Sequence, residues 1–317
     1  MANTTAGSGD IPAEWIGQIG MAEGIIGIVL NTLAWLVILR TKNLHNMTNY
    51  LLAYLAVIDS LTCFCLFFYF ATATMIPNSE IGRVIYCHLI KTQFLQAITI
   101  YTSSFGLCIL TYERYIGIVH SLHYPRLLSP KKVLMIIFIT WMIACVLSSP
   151  FLFTQVASKD AQQACQHLWP ALMIMGQILA MLFMYLLPVT FMSWAYYKIQ
   201  ATLKINARQL RQQNVQAAAY ELLQARQKVV HMLMIVMGAL FVLWTPLVIV
   251  NVFVIALKGS KDALMIWYDT TQIMYYTNFV INPIIYVFKY KKFRRGFQDM
   301  LCCCTGRPVR PNQIAME

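Results

Sequence analysis

The stretch LQAITIYTSSFGLCILTYERYIGIV, residues 95–119, decides how the rest of the chain is read. It is apolar for most of its length and ends on Glu113-Arg114-Tyr115, where it meets basic sequence. An arginine at the end of a membrane helix costs free energy unless it snorkels to the interface or pairs. The glutamate directly before it offers that partner. An ion pair at such a boundary is made or broken by a small helix movement, which is the physical requirement of a switch read from the cytoplasm.

The surrounding composition supports a membrane setting. Of 317 residues, 59% are hydrophobic and only 11% are charged. That is more apolar surface than a soluble domain of this length buries. The apolar residues fall into seven blocks: 19–39, 50–76, 84–119, 133–153, 169–199, 229–257 and 263–288. Each reaches the ~20 residues a helix needs to cross a bilayer. Few polar residues interrupt them, so a water-filled transport path is not advertised. Neither a basic start nor a cleavage site precedes the first block, which therefore reads as a retained signal anchor.

Charge sets the orientation. With the N-terminus outside, 19 of the 24 Lys and Arg residues fall on cytoplasmic segments or helix ends. Acidic residues lean outward, with Asp10, Glu14, Glu23, Glu80, Asp160, Asp262 and Asp269 on that side. The positive-inside rule then gives seven spans, N-terminus out and C-terminus in. The net charge of +12 reads as orientation and cytosolic binding surface rather than nucleic-acid affinity. Cys63, Cys65, Cys108 and Cys145 lie inside apolar blocks, Cys87 and Cys165 on the outer side, and Cys302 to Cys304 after the last basic segment. None pairs with histidines at metal-ligand spacing. There is no internal repeat of the kind that builds transporters. Residues 206–228 are rich in Ala, Gln, Leu and Arg, so they continue the fifth and sixth helices into the cytosol.

Seven spans with Glu113-Arg114-Tyr115 at the end of the third resemble the rhodopsin-like (class A) G-protein-coupled receptors. The resemblance covers residues 19–304. Its second witness is Asn282-Pro283-Ile284-Ile285-Tyr286 in the last span, where a proline removes a backbone hydrogen bond and makes a hinge. Further matches are Asn31 in span one, Asp59 in span two, Trp141 in span four, Pro188 and Tyr196 in span five, and Trp244-Thr245-Pro246 in span six.

The expected architecture is an all-α membrane protein. An outer tail (1–18) precedes a seven-transmembrane helix bundle (19–288), a short amphipathic eighth helix (289–300) and a cytoplasmic tail (301–317) that looks disordered. The resemblance implies a receptor rather than an enzyme, in the plasma membrane. Its switch residues would be Glu113, Arg114, Tyr115, Leu122, Tyr124, Tyr196, Pro246, Pro283 and Tyr286, acting on a heterotrimeric G protein. No cofactor is expected, but the resemblance implies an allosteric sodium ion among Asp59, Ser103, Asn278 and Asn282 over the Trp244 ring. A bare structural contact of Asp59 with Asn31 is the alternative. Cys87 and Cys165 would form a disulfide tying span three to the second outer loop. Phe288, Phe293 and Phe297 would share one face of the eighth helix, with its basic residues toward lipid head groups. Cys302, Cys303 and Cys304 are placed for palmitoylation. Asn3 begins a glycosylation sequon, whereas the one at Asn46 falls in the cytosol.

The chain departs from the family pattern in several places. Leu243 replaces the usual cysteine before the Trp-x-Pro turn, Leu240 a phenylalanine, Ser104 an apolar partner and Ser121 a loop proline. Arg226 stands where some members carry a glutamate that clamps the span-three arginine, so that clamp is absent. With Thr202 and Thr305 almost alone among phosphorylatable residues in the inner loop and tail, arrestin recruitment should be weak.

The ligand is narrowed by exclusion. Tyr276 occupies the position of an opsin's retinal lysine, and Gln96 that of an amine receptor's carboxylate. Tyr69, Gln93, Gln96, Ile100, Trp244, Asn251, Tyr268, Gln272 and Tyr276 form a neutral, amphipathic set suited to peptide backbone. Asp269 at the rim could attract a basic peptide end. The leading expectation is a receptor for a neuropeptide-like ligand. The alternatives are a neutral small molecule or lipid, an atypical receptor that binds without signalling, and, from another class, a transporter or channel.

Overall fold

The structure, a computed structural model, describes residues 14–158, 164–167, 170–212, 217–256 and 265–304. Helices α1 (Glu14–Arg40) and α2 (Met47–Ala71) are spans one and two. Span three is α3 (Glu80–Ile85), a wider π-type turn over Tyr86–Lys91, and α4 (Phe94–Val119). The short α5 (Tyr124–Leu127) follows, then α6 (Pro130–Leu152) as span four. Span five is α7 (Pro170–Ala180), a second π-type turn over Met181–Leu186, and α8 (Leu187–Gln212). Span six is α9 (Ala217–Ala256), span seven is α10 (Met265–Lys289), and α11 (Lys291–Cys304) closes the described chain. Among the described residues, six helical segments are long and apolar enough to cross a membrane. Span seven matches them in length at 25 residues. It is more polar because Thr271, Asn278 and Asn282 turn into the bundle.

The bundle closes on itself. Span one packs on spans two and seven, span two on span three, span three on four and five, and span six on five and seven. Small residues allow the closest approach. A Cβ at Gly24 would meet the backbone oxygen of Cys63 and the Cα of Phe67 at 3.0 and 3.1 Å, so span one lies directly on span two there. Helices α8 and α9 continue spans five and six to Gln212 and from Ala217, so the Ala-, Gln- and Leu-rich stretch is helical where described; residues 213–216 between them lie outside the description.

Proline positions are stitched from the side. A proline cannot donate to the carbonyl four residues earlier. Pro150 frees the Val146 carbonyl, which accepts from Ser149 Oγ at 2.8 Å. Pro188 frees that of Met184, which accepts from Ser104 Oγ at 3.0 Å. Pro283 frees that of Phe279, which accepts from Asn31 Nδ2 at 2.8 Å. Ser104 therefore does not leave a hole where an apolar side chain is expected; it links span three to span five. Asn31 links span one to span seven and does not reach Asp59. The fourth such carbonyl, Val242 ahead of Pro246, receives no side chain among the described residues; the tie to span five there runs between the hydroxyls of Tyr185 and Thr245, 2.6 Å apart.

At the outer end, Cys87 in the first wide turn is bonded to Cys165, with Cα atoms 5.6 Å apart. Cys165 starts β2 (Cys165–His167), which pairs antiparallel with β1 (Gln155–Ala157), a hairpin not foreseen from sequence. Below the disulfide the helix breaks at Gln93, whose φ of 55° is left-handed. At the inner end the eighth helix starts two residues later and runs four residues further than expected. Phe293 is buried and packs edge-on against Tyr286 at 6.0 Å. Phe288 does not share that face; it belongs to span seven and is 72% exposed, because the break at Tyr290 turns α11 away from the axis of α10. The side chains of Cys302, Cys303 and Cys304, and the residues Asn3 and Thr305, lie outside the described set.

Candidate functional site

Three polar centres lie along the bundle axis. The first, at the end of the bundle where span three meets α5, is built on Glu113, which has no solvent exposure. Arg114 donates to it through Nε at 2.6 Å and through a second guanidinium nitrogen, a two-point pair between neighbours in one helix. Thr48, in the first turn of span two, lies 3.1 Å from Oε2. Tyr124, in α5, donates its hydroxyl to Oε1 at 2.8 Å. Burial and the adjacent carboxylate push the Tyr124 phenol up to about 12, so it remains a donor across the physiological range. A buried carboxylate is tolerable only when its lone pairs are filled this way.

Sequence reasoning found the pair but missed Thr48, and it gave Tyr124 only an outward contact. Their convergence depends on helix rotation, which no local string encodes. Leu122 does face outward, at 92% exposure. Tyr115 stacks on Trp194 at 5.2 Å. Tyr196 is buried, with its hydroxyl 3.3 Å from Thr111, and Tyr286 is buried one layer below. Arg226 is exposed on span six, so no clamp from that helix reaches Arg114.

The middle centre surrounds Asp59, which is almost fully buried. Ser103 donates to Oδ1 at 2.6 Å and Asn282 Nδ2 to Oδ2 at 2.9 Å. Asn278 lies one turn from Asn282 on the same face. Its Oδ1 and that of Asn282 are buried without a hydrogen-bond partner. One carboxylate with a hydroxyl and two unfilled amide oxygens is an all-oxygen donor set of the type hard cations take. These residues fit a sodium ion.

The outer centre is an open pocket of about 470 Å³ between spans four, five, six and seven. Phe151, Met181, Met184, Leu247 and Tyr275 give it apolar walls; Gln177 and Asn251 add amides, and Trp244 forms part of its lining. The indole nitrogen of Trp244 and Oδ1 of Asn251 are buried and unpartnered. Tyr275 at 4.7 Å and Tyr185 at 6.4 Å hold the Trp244 ring. Of the nine residues singled out from sequence, only Trp244 and Asn251 line this pocket. The rest gather on the opposite side. Tyr276 lies beside Gln93, Gln96, Tyr69 and Tyr268, and Gln272 donates to the Tyr268 hydroxyl at 3.3 Å. Ile100 is buried in the core. Met181, Met184 and Tyr185 of the wide turn in span five line this pocket, and that turn has no sequence signature.

Comparison with known proteins follows the same outline. The family model described as 7 transmembrane receptor (rhodopsin family) matches residues 30–286. The chain is 28% identical to somatostatin receptor type 4 of Rattus norvegicus, over 88% of this chain and 71% of the relative. It is 28% identical to galanin receptor type 2 of Homo sapiens, over 89% and 72%. Identity to the tachykinin-like peptides receptor 86C of Drosophila melanogaster is 25%, over 88% and 57%.

The inner geometry makes a first prediction. Removing one donor from a charged buried acceptor costs about 1.5–3 kcal/mol of the state that makes the bond. Tyr124→Phe and Thr48→Val should each raise ligand-free nucleotide exchange on a purified G protein roughly tenfold. Basal exchange equal to wild type in both variants would show that these donors do not hold the resting state.

Proposed function

Because the chain belongs to the rhodopsin family of seven-transmembrane receptors, and is thus a receptor rather than an enzyme, we propose that it binds a peptide at its outer end and activates a heterotrimeric G protein at its inner end. The observation that carries this reading is the buried, fully donated Glu113 beside Arg114. Such a pair closes the cytoplasmic mouth without a covalent tie and opens when span three moves against span two and α5. The relatives' names supply the ligand class, since they are receptors for somatostatin, galanin and tachykinin-like peptides.

The pocket's chemistry agrees with a neutral insert. Its walls are largely apolar, its buried unpartnered polar atoms are one indole N–H donor and one amide acceptor, and no carboxylate lines it. An aromatic or aliphatic peptide side chain next to a backbone amide satisfies all three. Such an insert presses on Trp244 and favours outward swing of span six about Pro246, where the Val242 carbonyl has lost its backbone donor. The event is a population shift between two arrangements. Arg114 then leaves Glu113 and turns toward the G protein, steadied by Tyr196 and Tyr286.

A sodium ion, when bound, supplies positive charge that neutralises Asp59. The chain's own part is to present Asp59, Ser103, Asn278 and Asn282 on facing helices and to exclude water from them. The protein would lie in the plasma membrane with its N-terminus outside and the basic α11 at the lipid head groups. The scarcity of inner hydroxyl residues fits weak arrestin capture.

Two experiments test this reading. A library of neutral and amidated peptides, applied to cells expressing the receptor with a promiscuous G protein, should yield agonists that also drive nucleotide exchange on purified components. A ligand-driven ionic current with no exchange would overturn it. Separately, replacing choline chloride by sodium chloride should raise the Tm of the detergent-solubilised wild type by roughly 2–4 °C for each kcal/mol of binding. Asp59→Ala should abolish that rise, and an equal rise in both proteins would remove the ion from this site.

A further inference from the structure

Glu23 takes no part in any of the three centres. It lies within span one, where the other charged residues are Glu14 and Arg40 at the ends. Span one packs on span two, span seven and, at its cytosolic end, α11. No Lys, Arg or His occurs within span two, and the only Lys of span seven is Lys289 at its inner end. Arg40 stands 17 residues away, about 25 Å along the helix. The basic residues of α11 lie at that same far end.

The groups that face Glu23 are few. From span seven, Thr277 Oγ lies 2.6 Å from Oε1. From span two, the Cys63 thiol interacts electrostatically with Glu23 and also with Asp59. Tyr275, Tyr276 and Asp269 are the nearest titratable residues of span seven by sequence. Oε2 of Glu23 is buried and has no hydrogen-bond partner.

The proton count is decisive here. Thr277 Oγ also lies 3.1 Å from the carbonyl of Ile273, four residues back. A hydroxyl has one proton, so it cannot donate to both. If Glu23 is a carboxylate, Thr277 donates to it, the link to Ile273 is lost, and a buried charge is left with one oxygen bare. If Glu23 is a neutral acid, its own proton goes to Thr277 Oγ and the Thr277 proton goes to the Ile273 carbonyl. The neutral form makes two hydrogen bonds and no charge; the ionised form makes one bond and buries an uncompensated charge. A distance of 2.6 Å suits an O–H···O contact in either case.

We propose that Glu23 is a proton-binding site whose occupancy is coupled to span seven through Thr277. The proton lost or gained moves between Glu23 and water, with no other bond made or broken. Thr277 stands between Tyr276, on the outer polar cluster, and Asn278, beside Asp59, so the hydrogen bond that ties span one to span seven is set between those two centres. Occupied, the site holds the two spans by a chain from Glu23 through Thr277 to Ile273. Empty, that chain is broken.

Infrared difference spectra of the full receptor in lipid nanodiscs, recorded between mildly alkaline and mildly acidic buffer, test this. The wild type should gain a protonated-carboxyl carbonyl band that Glu23→Gln lacks. Its Tm should rise by about 3 °C on acidification. Glu23→Gln, whose amide can donate to Thr277 in either buffer, should hold the higher value at both. Thr277→Val keeps the acid and removes its acceptor, so it should retain the band and lose the Tm response; it also serves if Glu23→Gln does not fold. A titrating band of equal size in wild type and Glu23→Gln would assign the proton elsewhere, and the absence of any titrating band would mean Glu23 does not exchange protons over this range. Either result overturns the proposal.

Discussion

A carboxylate with no access to water fixes the inner half of this molecule. Glu113 gathers donors from its own helix, from the first turn of span two and from the short helix after span three. Leaving it unpaired would cost several kcal/mol, because removing one partner of a buried pair exposes the full desolvation penalty of the other. The segments that supply those donors are therefore held in register with span three. The same arrangement is easily reversed. Every partner is a side chain, so a displacement of span three would trade Glu113's donors for water, which is the step the proposed switch requires.

The proline-freed carbonyls place the movable part. Three of the four find a side-chain donor, two of them from a neighbouring span, so spans one and seven and spans three and five are tied at their weak points. Span six keeps its freed carbonyl uncapped by side chains among the described residues. Trp244 sits two residues before that proline, held by aromatic rings from spans five and seven and lining the outer pocket. A ligand that moves this ring acts on span six next to its proline hinge.

Much of this was legible in the sequence, and the division has a physical cause. Apolar blocks of membrane length, the Glu113-Arg114 pair and the proline positions are one-dimensional signals, and they gave the bundle, its family and the buried ion pair. The disulfide between Cys87 and Cys165 followed from the family resemblance. What stayed hidden depends on how helices are rotated and bent. Thr48 and Tyr124 meet Glu113 only because α2 and α5 present them there. Asn31, weighed only as an alternative contact for Asp59, donates to the Phe279 carbonyl that Pro283 frees. The ligand-facing residues chosen on spans two, three and seven gather around Tyr276 and Tyr268, while the pocket is lined from span five. Polar residue type marked these positions as functional candidates without saying which face they occupy.

The central claim is that the charge on Glu113 holds Arg114 in the resting state. Glu113→Gln keeps the shape and the acceptor for Thr48 and Tyr124 but removes that charge. Nucleotide exchange on a purified heterotrimeric G protein, measured without ligand in reconstituted membranes, reads the consequence directly. The account predicts a basal rate well above wild type for Glu113→Gln at equal receptor density. A basal rate no different from wild type would contradict it.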